Sequence, residues 1–377
     1  MAELWHKSGR IMAEFEPKFL ITGTMANNLL EIERVKEGIK NLPVNPKLLN
    51  SLRESAKLSA VHYSTQIEGN RLSQEEVKNL ISGYAPVSSK KIISNTGRIR
   101  DEKEIKGYYA ALDYIEKLAE SNTPVTEKII KHIHALVTGG GSTKVKDSEY
   151  RYGQNVITDS ASGRIVYMPP EAEDVPVLMK EFVKWINKPK DIPVPIFAGI
   201  IHYQFVTIHP YFDGNGRTAR LLTVLALHKN GYGLKGIYSL EEYYAKDLQG
   251  YYEAVTIGNS HNYYLGRAEA DITKWIEYFI KGMADACKSI YSKAKEQENS
   301  KDALKVLRVL DAKQRKILSL FETQKYITSK DIADFFKFAP RTARQLALDW
   351  TNTGFLIAAG RGRQRKYQLN EKFEEIL

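Results

Sequence analysis

The segment from position 209 to position 220 reads HPYFDGNGRTAR. Strongly apolar stretches flank it, Pro193–Ile208 before it and Thr218–Lys229 after it. Apolar stretches of this length favour buried helices. The segment is therefore predicted to join two buried helices, which places it at the centre of a helical core.

Helical spacing of apolar residues recurs over much of the remaining chain. It predicts further helices over Pro46–Glu68, Asp101–Leu118, Thr126–Val137 and Asp271–Lys293. Another helix is expected to start at Ser73, because Ser73 and Glu76 have the spacing of a capping box. The fold class is therefore predicted to be mostly α.

One region departs from this pattern. Val156–Thr158 and Arg164–Met168 are short β-prone runs on either side of the polar residues 159–163, and two prolines follow them. This arrangement is typical of a β-hairpin. Because a single hairpin is too small to form a core sheet, we expect it to act as a flap over another part of the molecule.

The composition is that of an ordinary globular protein. The chain has 377 residues, of which 43% are hydrophobic and 27% charged, so two or three domains are expected. No apolar run approaches the ~20 residues that span a bilayer, and the first residues lack the apolar core of a signal peptide. Cys287 is the only cysteine, which excludes an internal disulfide. We therefore expect a cytoplasmic protein with no membrane partner.

The positive charge is concentrated near the C-terminus. The net charge is +10, and residues 301–377 contain sixteen Lys and Arg against nine Asp and Glu. After a polar linker at Ala294–Lys301, helices are predicted near Lys313–Phe321, Ser329–Phe336 and Pro340–Asn352, and short strands near 354–356 and 366–369. Three helices and a basic hairpin favour a C-terminal winged helix-turn-helix domain.

Four regions are predicted on these grounds. They are an N-terminal helical region (1–90), a central helical core that contains the 209–220 segment (91–265), a connecting helix and linker (266–305) and the winged helix domain (306–377).

The chemistry of the 209–220 segment indicates a phosphate site. Gly214, Asn215 and Gly216 can point successive N–H groups into one concavity at the start of a helix, where an anion is favoured. Arg217 and Arg220 lie on one face of its first turn and suit a di- or triphosphate.

Two further side chains in the segment have chemical roles to offer. The carboxylate of Asp213 can hold Mg²⁺ against phosphate oxygens. The imidazole of His209 can take a proton from a hydroxyl. Each of these residues alone has an ordinary structural explanation, as a core histidine, a helix cap or a turn. Their combination in this order favours function.

The segment resembles the signature of the Fic family, H-x-F-x-[D/E]-G-N-G-R-x-x-R. Its one departure is Tyr211 in place of Phe, at a position that we expect to be an aromatic core anchor. The resemblance extends from about residue 50 to 260 and includes the hairpin before the motif. It implies a Fic-type helical bundle with a β-hairpin flap. It also implies transfer of AMP from ATP to a Ser, Thr or Tyr hydroxyl of a target protein, with Mg²⁺.

The resemblance also implies residue roles. His209 would be the general base, Asp213 would position Mg²⁺, and the turn from Gly214 through Asn215 to Gly216 would cradle the phosphates. Arg217 would steady these phosphates and Arg220 would meet the γ-phosphate. The flap would align a target segment by strand addition through Ile165, Val166, Tyr167 and Met168. The pair Tyr251 and Tyr252 would lie near the nucleoside.

A second segment, STQIEGN at positions 64–70, resembles the inhibitory motif of the same family. Its position before the core resembles the subgroup with an N-terminal inhibitory helix. Ser64, Glu68 and Asn70 would carry the inhibition. Glu68 would pair with Arg220 and occupy the place of the γ-phosphate. The alternative is an ordinary helix end with a surface Ser/Glu pair.

Two other functions remain open. The first is a DNA-binding regulator whose core senses a nucleotide, since Arg341, Arg344 and the basic residues 361–366 suit phosphate contacts. The winged helix fold is equally suited to protein contact. The second is the reverse reaction, removal of AMP from a target, with Glu68 placing a water. The expected partners are a target protein, the chain itself as a target, DNA, and a second copy in a homodimer.

Overall fold

A computed structural model describes residues 15–41, 46–83, 95–158, 162–189, 191–257, 261–299, 309–322, 324–360 and 365–376. The chain divides into two compact units, Met1–Glu37 with Ser55–Lys288 and Gly38–Glu54 with Ser289–Leu377. The boundaries predicted at residues 90, 265 and 305 remain predictions.

The α-helices of the described residues are α1 (Gly23–Asn41), α2 (Pro46–Ile67), α3 (Gln74–Ile81), α4 (Asn95–Ala119), α5 (Glu127–Thr138), α6 (Val175–Asn187), α7 (Val194–Ile208), α8 (Asn215–Lys229), α9 (Glu241–Lys246), α10 (Leu248–Val255), α11 (Thr273–Asn299), α12 (Ala312–Phe321), α13 (Ser329–Phe336) and α14 (Pro340–Asn352). The strands are β1 (Ile157–Thr158), β2 (Ile165–Tyr167), β3 (Leu356–Ala359) and β4 (Lys366–Leu369). The prediction of a mostly α fold is confirmed.

Helices α4, α5, α7 and α8 form the centre of the first unit. α7 and α8 pack against each other, and α8 also packs against α4 and α5. Nearly every residue of α7 is buried, as its all-round apolar sequence requires. α8 begins at Asn215, three residues earlier than predicted, because Gly214 before it takes the left-handed conformation that starts the helix.

Other helix ends agree closely with the sequence pattern. The predicted capping box of Ser73 and Glu76 is present at the start of α3. Sequence periodicity missed four helices, α1, α6, α9 and α10. α9 and α10 are too short to show a helical period, whereas α6 does have apolar residues at helical spacing, the buried Met179, Phe182 and Trp185.

The predicted hairpin is present before the 209–220 segment. β1 and β2 are antiparallel, with Ile157 opposite Tyr167 and Thr158 opposite Ile165. The residues 159–161 of its loop lie outside the described residues. Met168, the residue after β2, forms a parallel β-bridge with Asn262. Its N–H donates to the His261 carbonyl at 2.7 Å. The flap therefore already has one backbone partner from this chain.

Within the second unit, the described residues from 309 onward form three helices followed by two strands. α12 and α13 start with capping boxes at Asp311 and Thr328, and β3 and β4 pair antiparallel from Leu356 opposite Leu369 to Ala359 opposite Lys366. A shared apolar core joins these elements, with Trp350 among its buried residues. This is the element order predicted for a winged helix domain.

Two boundaries near this unit were wrong. The first strand starts at Leu356, because Phe355 donates to the Trp350 carbonyl and Gly354 forms a left-handed turn. α11 runs to Asn299, so much of the predicted linker is helical. Arg361 and Arg363 of the predicted wing lie outside the described residues.

Within the described ranges, no helix has the length and apolar content that crossing a bilayer requires. Cys287 is fully buried on α11, as its place on the apolar stripe predicted, and burial raises the pKa of its thiol to about 12.

Candidate active site

His209 ends α7 in the left-handed conformation, with φ of 51° and ψ of 58°. Its Nδ1 lies 3.2 Å from the carbonyl oxygen of Val206. Because a carbonyl only accepts, Nδ1 carries the proton and Nε2 keeps its lone pair. Burial lowers the pKa of His209 to about 4, despite the opposing hydrogen bond to Val206. The side chain is therefore neutral at pH 7, the state a general base needs.

Asn215 closes the turn that follows. Its Nδ2 donates to the Tyr211 carbonyl at 2.7 Å, and its Oδ1 accepts from the Tyr211 N–H at 3.0 Å. Tyr211 is buried and its ring stacks on His134, with ring centroids 3.6 Å apart. The aromatic anchor expected at Tyr211 is thus seen, and Asn215 acts on the shape of the turn.

The start of α8 has the backbone geometry of an anion site. Gly214 has φ of 78°, and a Cβ there would lie 3.2 Å from His134 Nε2. Gly214 has no side chain to cap the helix, so the first N–H groups of α8 can donate to an acceptor from elsewhere.

Arg217 and Asp213 form an ion pair in the first turn. Arg217 Nη2 lies 3.1 Å from Asp213 Oδ2, and the Gly214 N–H donates to Asp213 Oδ1 at 2.7 Å. Partial burial raises the pKa of Asp213, but the charge of Arg217 and the Gly214 hydrogen bond outweigh it and leave the pKa below its usual value. Asp213 is thus an anion whose side chain is 72% exposed.

Arg220 is bound by the end of α2. Its Nε donates to Ser64 Oγ at 2.7 Å, and its Nη2 donates to the Ser64 carbonyl at 2.8 Å and to Glu68 Oε1 at 2.7 Å. Glu68 Oε1 also lies over Gly216, where a Cβ would be only 2.4 Å from it. The carboxylate therefore sits at the start of α8, in the place an anion would take.

Asn70 connects the same end of α2 to α4. Its Nδ2 donates to the Asp101 carbonyl at 2.9 Å and to Glu104 Oε2 at 3.0 Å. The buried Glu104 also accepts from Arg100 and lies 4.0 Å from Arg217 Nη1. Asn70 therefore holds the helix end near the phosphate-site arginines without contacting them.

The donor set fits a phosphate chain. Arg217 Nε and Arg220 Nη1 are buried and have no hydrogen-bond partner. Unpaired buried guanidinium donors are costly, so an anionic ligand would relieve them. The protein itself supplies few ligands for a metal ion. Among the described residues, no group of three His, Cys, Asp or Glu side chains could hold one. Asp213 offers one carboxylate, which suits Mg²⁺ held mainly by phosphate oxygens and water.

The remaining predicted residues differ in their access to this site. Tyr251 is buried and its hydroxyl lies 2.9 Å from His202 Nε2, so its ring packs in the interior. Tyr252 is 46% exposed and its hydroxyl donates to the Ile67 carbonyl. Nucleoside contact by this pair remains a prediction.

The flap residues likewise differ in exposure. Ile165 is exposed and Val166 is half-buried, whereas Tyr167 is buried with its hydroxyl on the Thr207 carbonyl at 2.6 Å. Target docking by the four residues Ile165–Met168 remains a prediction.

Two residues that contact the 209–220 segment had no sequence signal. His134 places Nε2 2.8 Å from the Asp213 carbonyl and Nδ1 2.7 Å from Ser148 Oγ. Arg151 donates through Nε to the His209 carbonyl at 3.0 Å. Neither lies in a motif or at a telling spacing, so only the tertiary structure reveals them.

Residues 124–227 match the model of the Fic/DOC family. The chain therefore contains a Fic/DOC domain, which includes the flap, α7 and the whole 209–220 segment. Over these residues, the family resemblance predicted from the motif is confirmed.

Curated relatives are similar to about half of this chain. A protein adenylyltransferase Fic of Aedes aegypti is 29% identical over 205 residues, which are 53% of this chain and 38% of that protein. The protein of the same name from Culex quinquefasciatus is 28% identical over 204 residues, again 53% and 38%. The chain thus spans about two fifths of the length of these relatives.

Solved structures share the fold. A Fic family protein from Desulfovibrio desulfuricans G20 is 22% identical with a TM-score of 0.58, covering 95% of this chain and 99% of that one. A Fic domain containing signaling protein from Bacteroides thetaiotaomicron is 24% identical with a TM-score of 0.58, covering 71% and 98%.

Proposed function

We propose that this chain is a protein adenylyltransferase that transfers AMP from ATP to a Ser, Thr or Tyr hydroxyl of a protein, the chain itself included. One observation carries the proposal: a neutral His209 with a free Nε2 in the same twelve-residue segment as two buried arginines with unused donors. The names of the relatives from Aedes and Culex support it.

In this reaction the target hydroxyl gives its proton to His209 Nε2 as its oxygen attacks the α-phosphorus of ATP. The bond from the α-phosphorus to the oxygen that bridges to the β-phosphate breaks, and pyrophosphate leaves. The N–H groups at the start of α8, with Arg217, stabilise the charge on the phosphates. Asp213 would hold Mg²⁺, which supplies further neutralisation of the phosphate charge when bound.

Glu68 inhibits this reaction in the proposed scheme. Its carboxylate holds Arg220 and lies over Gly216, so a γ-phosphate would meet a like charge in its place. ATP that binds beside Glu68 would be shifted from its reactive position. Its α-phosphorus would then no longer lie in line with the attacking hydroxyl.

The test compares the wild-type chain, Glu68→Gly, and Glu68→Gly combined with His209→Ala. Each is incubated with Mg²⁺ and ATP, GTP, CTP or UTP labelled at the α-phosphate, and label bound to protein is counted. We expect label from ATP with Glu68→Gly and none after His209→Ala. Equal, background label in all three would refute the proposed function.

Removal of AMP is a second candidate activity, because the Glu68 side chain is 29% exposed and water can reach it. Its test uses the chain labelled by the Glu68→Gly variant. Release of AMP by added wild-type chain, and not by added Glu68→Gln, would favour it over simple inhibition.

DNA binding by the second unit is a separate candidate, combined in the regulator hypothesis with a nucleotide-sensing core. Arg341, Arg344, Gln345 and Leu348 share one exposed face of α14 at helical spacing. We expect gel retardation of duplex DNA at physiological salt, weakened by Arg341→Ala with Arg344→Ala. Lys330→Ala, at an exposed lysine of α13, is the matched control. Absence of any retardation would leave protein contact as the use of this unit.

A further inference from the structure

Arg151 is a buried cation that forms no ion pair with a carboxylate among the described residues. Its residue is 3% exposed, yet its side-chain hydrogen bonds go to carbonyl oxygens of the backbone and of one amide side chain. A buried guanidinium normally requires paired charge or full hydrogen bonding. The carbonyl oxygens that accept from Arg151 therefore satisfy its buried guanidinium in place of a carboxylate.

The first of these carbonyls belongs to the catalytic loop. Arg151 Nε donates to the His209 carbonyl at 3.0 Å, and the Arg151 backbone N–H donates to the Pro210 carbonyl at 2.9 Å. The left-handed backbone of His209 turns its carbonyl out of the α7 pattern, and this conformation is unfavourable for a residue with a Cβ. Arg151 thus stabilises the backbone conformation that aims the His209 ring.

The other carbonyls belong to the two legs of the flap. Arg151 Nη1 donates to the Gly153 carbonyl at 3.1 Å and to Gln154 Oε1 at 2.9 Å, on the leg before β1. Arg151 Nη2 donates to the Pro170 carbonyl, on the leg after β2.

Gln154 completes this arrangement. It spans both legs, because its Nε2 donates to the Pro169 carbonyl at 2.9 Å. One planar guanidinium therefore fixes three pieces of chain, and its rigid fork allows little change in their relative positions.

We propose that Arg151 is a positioning residue that sets the flap relative to His209, so that a bound target segment presents its hydroxyl to Nε2. This inference rests on the proposed function for its catalytic consequence, and on the contacts above for its structural one. Arg151 does not reach the phosphate site through any of its hydrogen bonds. Its loss should therefore affect transfer to protein far more than the binding of ATP.

The test is made in the Glu68→Gly background, with self-labelling by ATP as the readout. Arg151→Met keeps the length of the side chain and removes its donors. We expect the rate at saturating ATP to fall by about tenfold to 100-fold, as for a reacting group displaced by ~1 Å. The ATP concentration for half-maximal rate should change by less than about twofold. Arg151→Lys keeps the charge but only one of the donor positions, and it should restore part of the rate.

Two further variants separate positioning from a general loss of stability. Gln154 is exposed, and Gln154→Ala removes its hydrogen bonds to Arg151 and to the Pro169 carbonyl. This variant should lower the rate by about threefold with no change in Tm. Lys229→Met removes a cation that donates to the Ser121 carbonyl at 2.7 Å, at the far end of α8, and should leave the rate unchanged. Equal effects of Arg151→Met and Lys229→Met, or an unchanged rate with Gln154→Ala, would overturn the proposal.

Hydrogen–deuterium exchange without nucleotide provides a readout that does not need activity. Arg151→Met and Gln154→Ala should each speed exchange in the flap residues 162–171, and Lys229→Met should not. If the Glu68→Gly parent transfers no AMP, the proposed function fails, while this exchange still decides whether Arg151 holds the flap. Unaltered flap exchange in both variants would show that it does not.

Discussion

The catalytic loop and the end of α2 both reach the start of α8, but they do so over very different distances in sequence. Within the loop, Asn215 binds Tyr211 and Arg217 binds Asp213, each four residues away. The end of α2 reaches Arg220 from 156 and 152 residues away, through Ser64 and Glu68. Side-chain contacts within the loop thus set the shape of its turn, and Arg151 and His134 add contacts from outside it. The inhibitory contact, in comparison, depends entirely on packing between helices. The inhibitory contact can therefore be removed while the loop stays intact.

The largest effect is expected from breaking the local side of this comparison. Asn215→Ala removes both side-chain hydrogen bonds to Tyr211 that close the turn. In the Glu68→Gly background, transfer of labelled AMP should fall by about 100-fold, because a loop shift near 1 Å moves the base and the phosphate cradle apart.

Asn230→Ala is the matched control, at the other end of the same helix, where the Asn230 side chain donates to the Ala226 carbonyl. A similar loss of transfer in both variants would mean that Asn215 has no special place in the loop.

The next largest effect tests the contact between Glu68 and Arg220, which are distant in sequence. Glu68→Gly removes a charge-assisted hydrogen bond to Arg220 worth ~1.5–3 kcal/mol. Transfer should rise by about tenfold to 100-fold over the wild-type chain, the factor to which that energy corresponds.

Glu31→Gln, which loses an exposed pair with Arg34, is the control for removing a helix carboxylate and should leave transfer unchanged. If Glu68→Gly left the rate at the wild-type value, release of α2 would not be what activates the site.

The same contrast explains what could be predicted from sequence. The two helices around the loop and the residues within it follow from local pattern, because their contacts span one helical turn. The contact between Glu68 and Arg220 was expected only because the STQIEGN segment resembles a known motif. No spacing in the chain announces a partner 152 residues away.

Where neither pattern nor motif applied, prediction stopped. Arg151 and His134 bind backbone carbonyls of distant residues. Because every residue has such a carbonyl, the residue types do not indicate these partners. Tyr251 and Tyr252 are adjacent in sequence, yet one is buried against His202 and the other is half exposed. Which face of α10 turns inward is decided by its tertiary neighbours.

A smaller effect separates the two groups on α2 that hold Arg220. Ser64→Ala removes the hydroxyl that accepts from Arg220 Nε but keeps the Ser64 carbonyl contact and Glu68. Loss of about 1 kcal/mol should raise wild-type transfer by roughly fivefold.

Ser59→Ala, on the same helix, removes a hydroxyl that accepts from Gln74 and should not change transfer. A rise as large as that of Glu68→Gly would mean that the serine, and not the carboxylate, is the main hold on Arg220.

The smallest effect concerns pH and returns to the loop. Burial lowers the pKa of His209 to about 4, the charge of Arg151 acts in the same direction, and Glu68 and Asp213 oppose it. A base works while it is neutral, which is above its pKa. Between pH 8 and pH 6 a histidine with a pKa of about 4 stays ~99% neutral, so the rate of the Glu68→Gly variant at saturating ATP should be flat.

A histidine with its ordinary pKa of about 6.5 would be only about a quarter neutral at pH 6, and the rate would fall about fourfold. The measurement is the rate of labelling at each pH, with ATP raised until the rate no longer changes. Since Glu68 raises the pKa of His209, its removal cannot bring the fall into this range. A fourfold fall centred near pH 6.5 would show that the loop leaves His209 open to water, and that the site is less closed than its local contacts require.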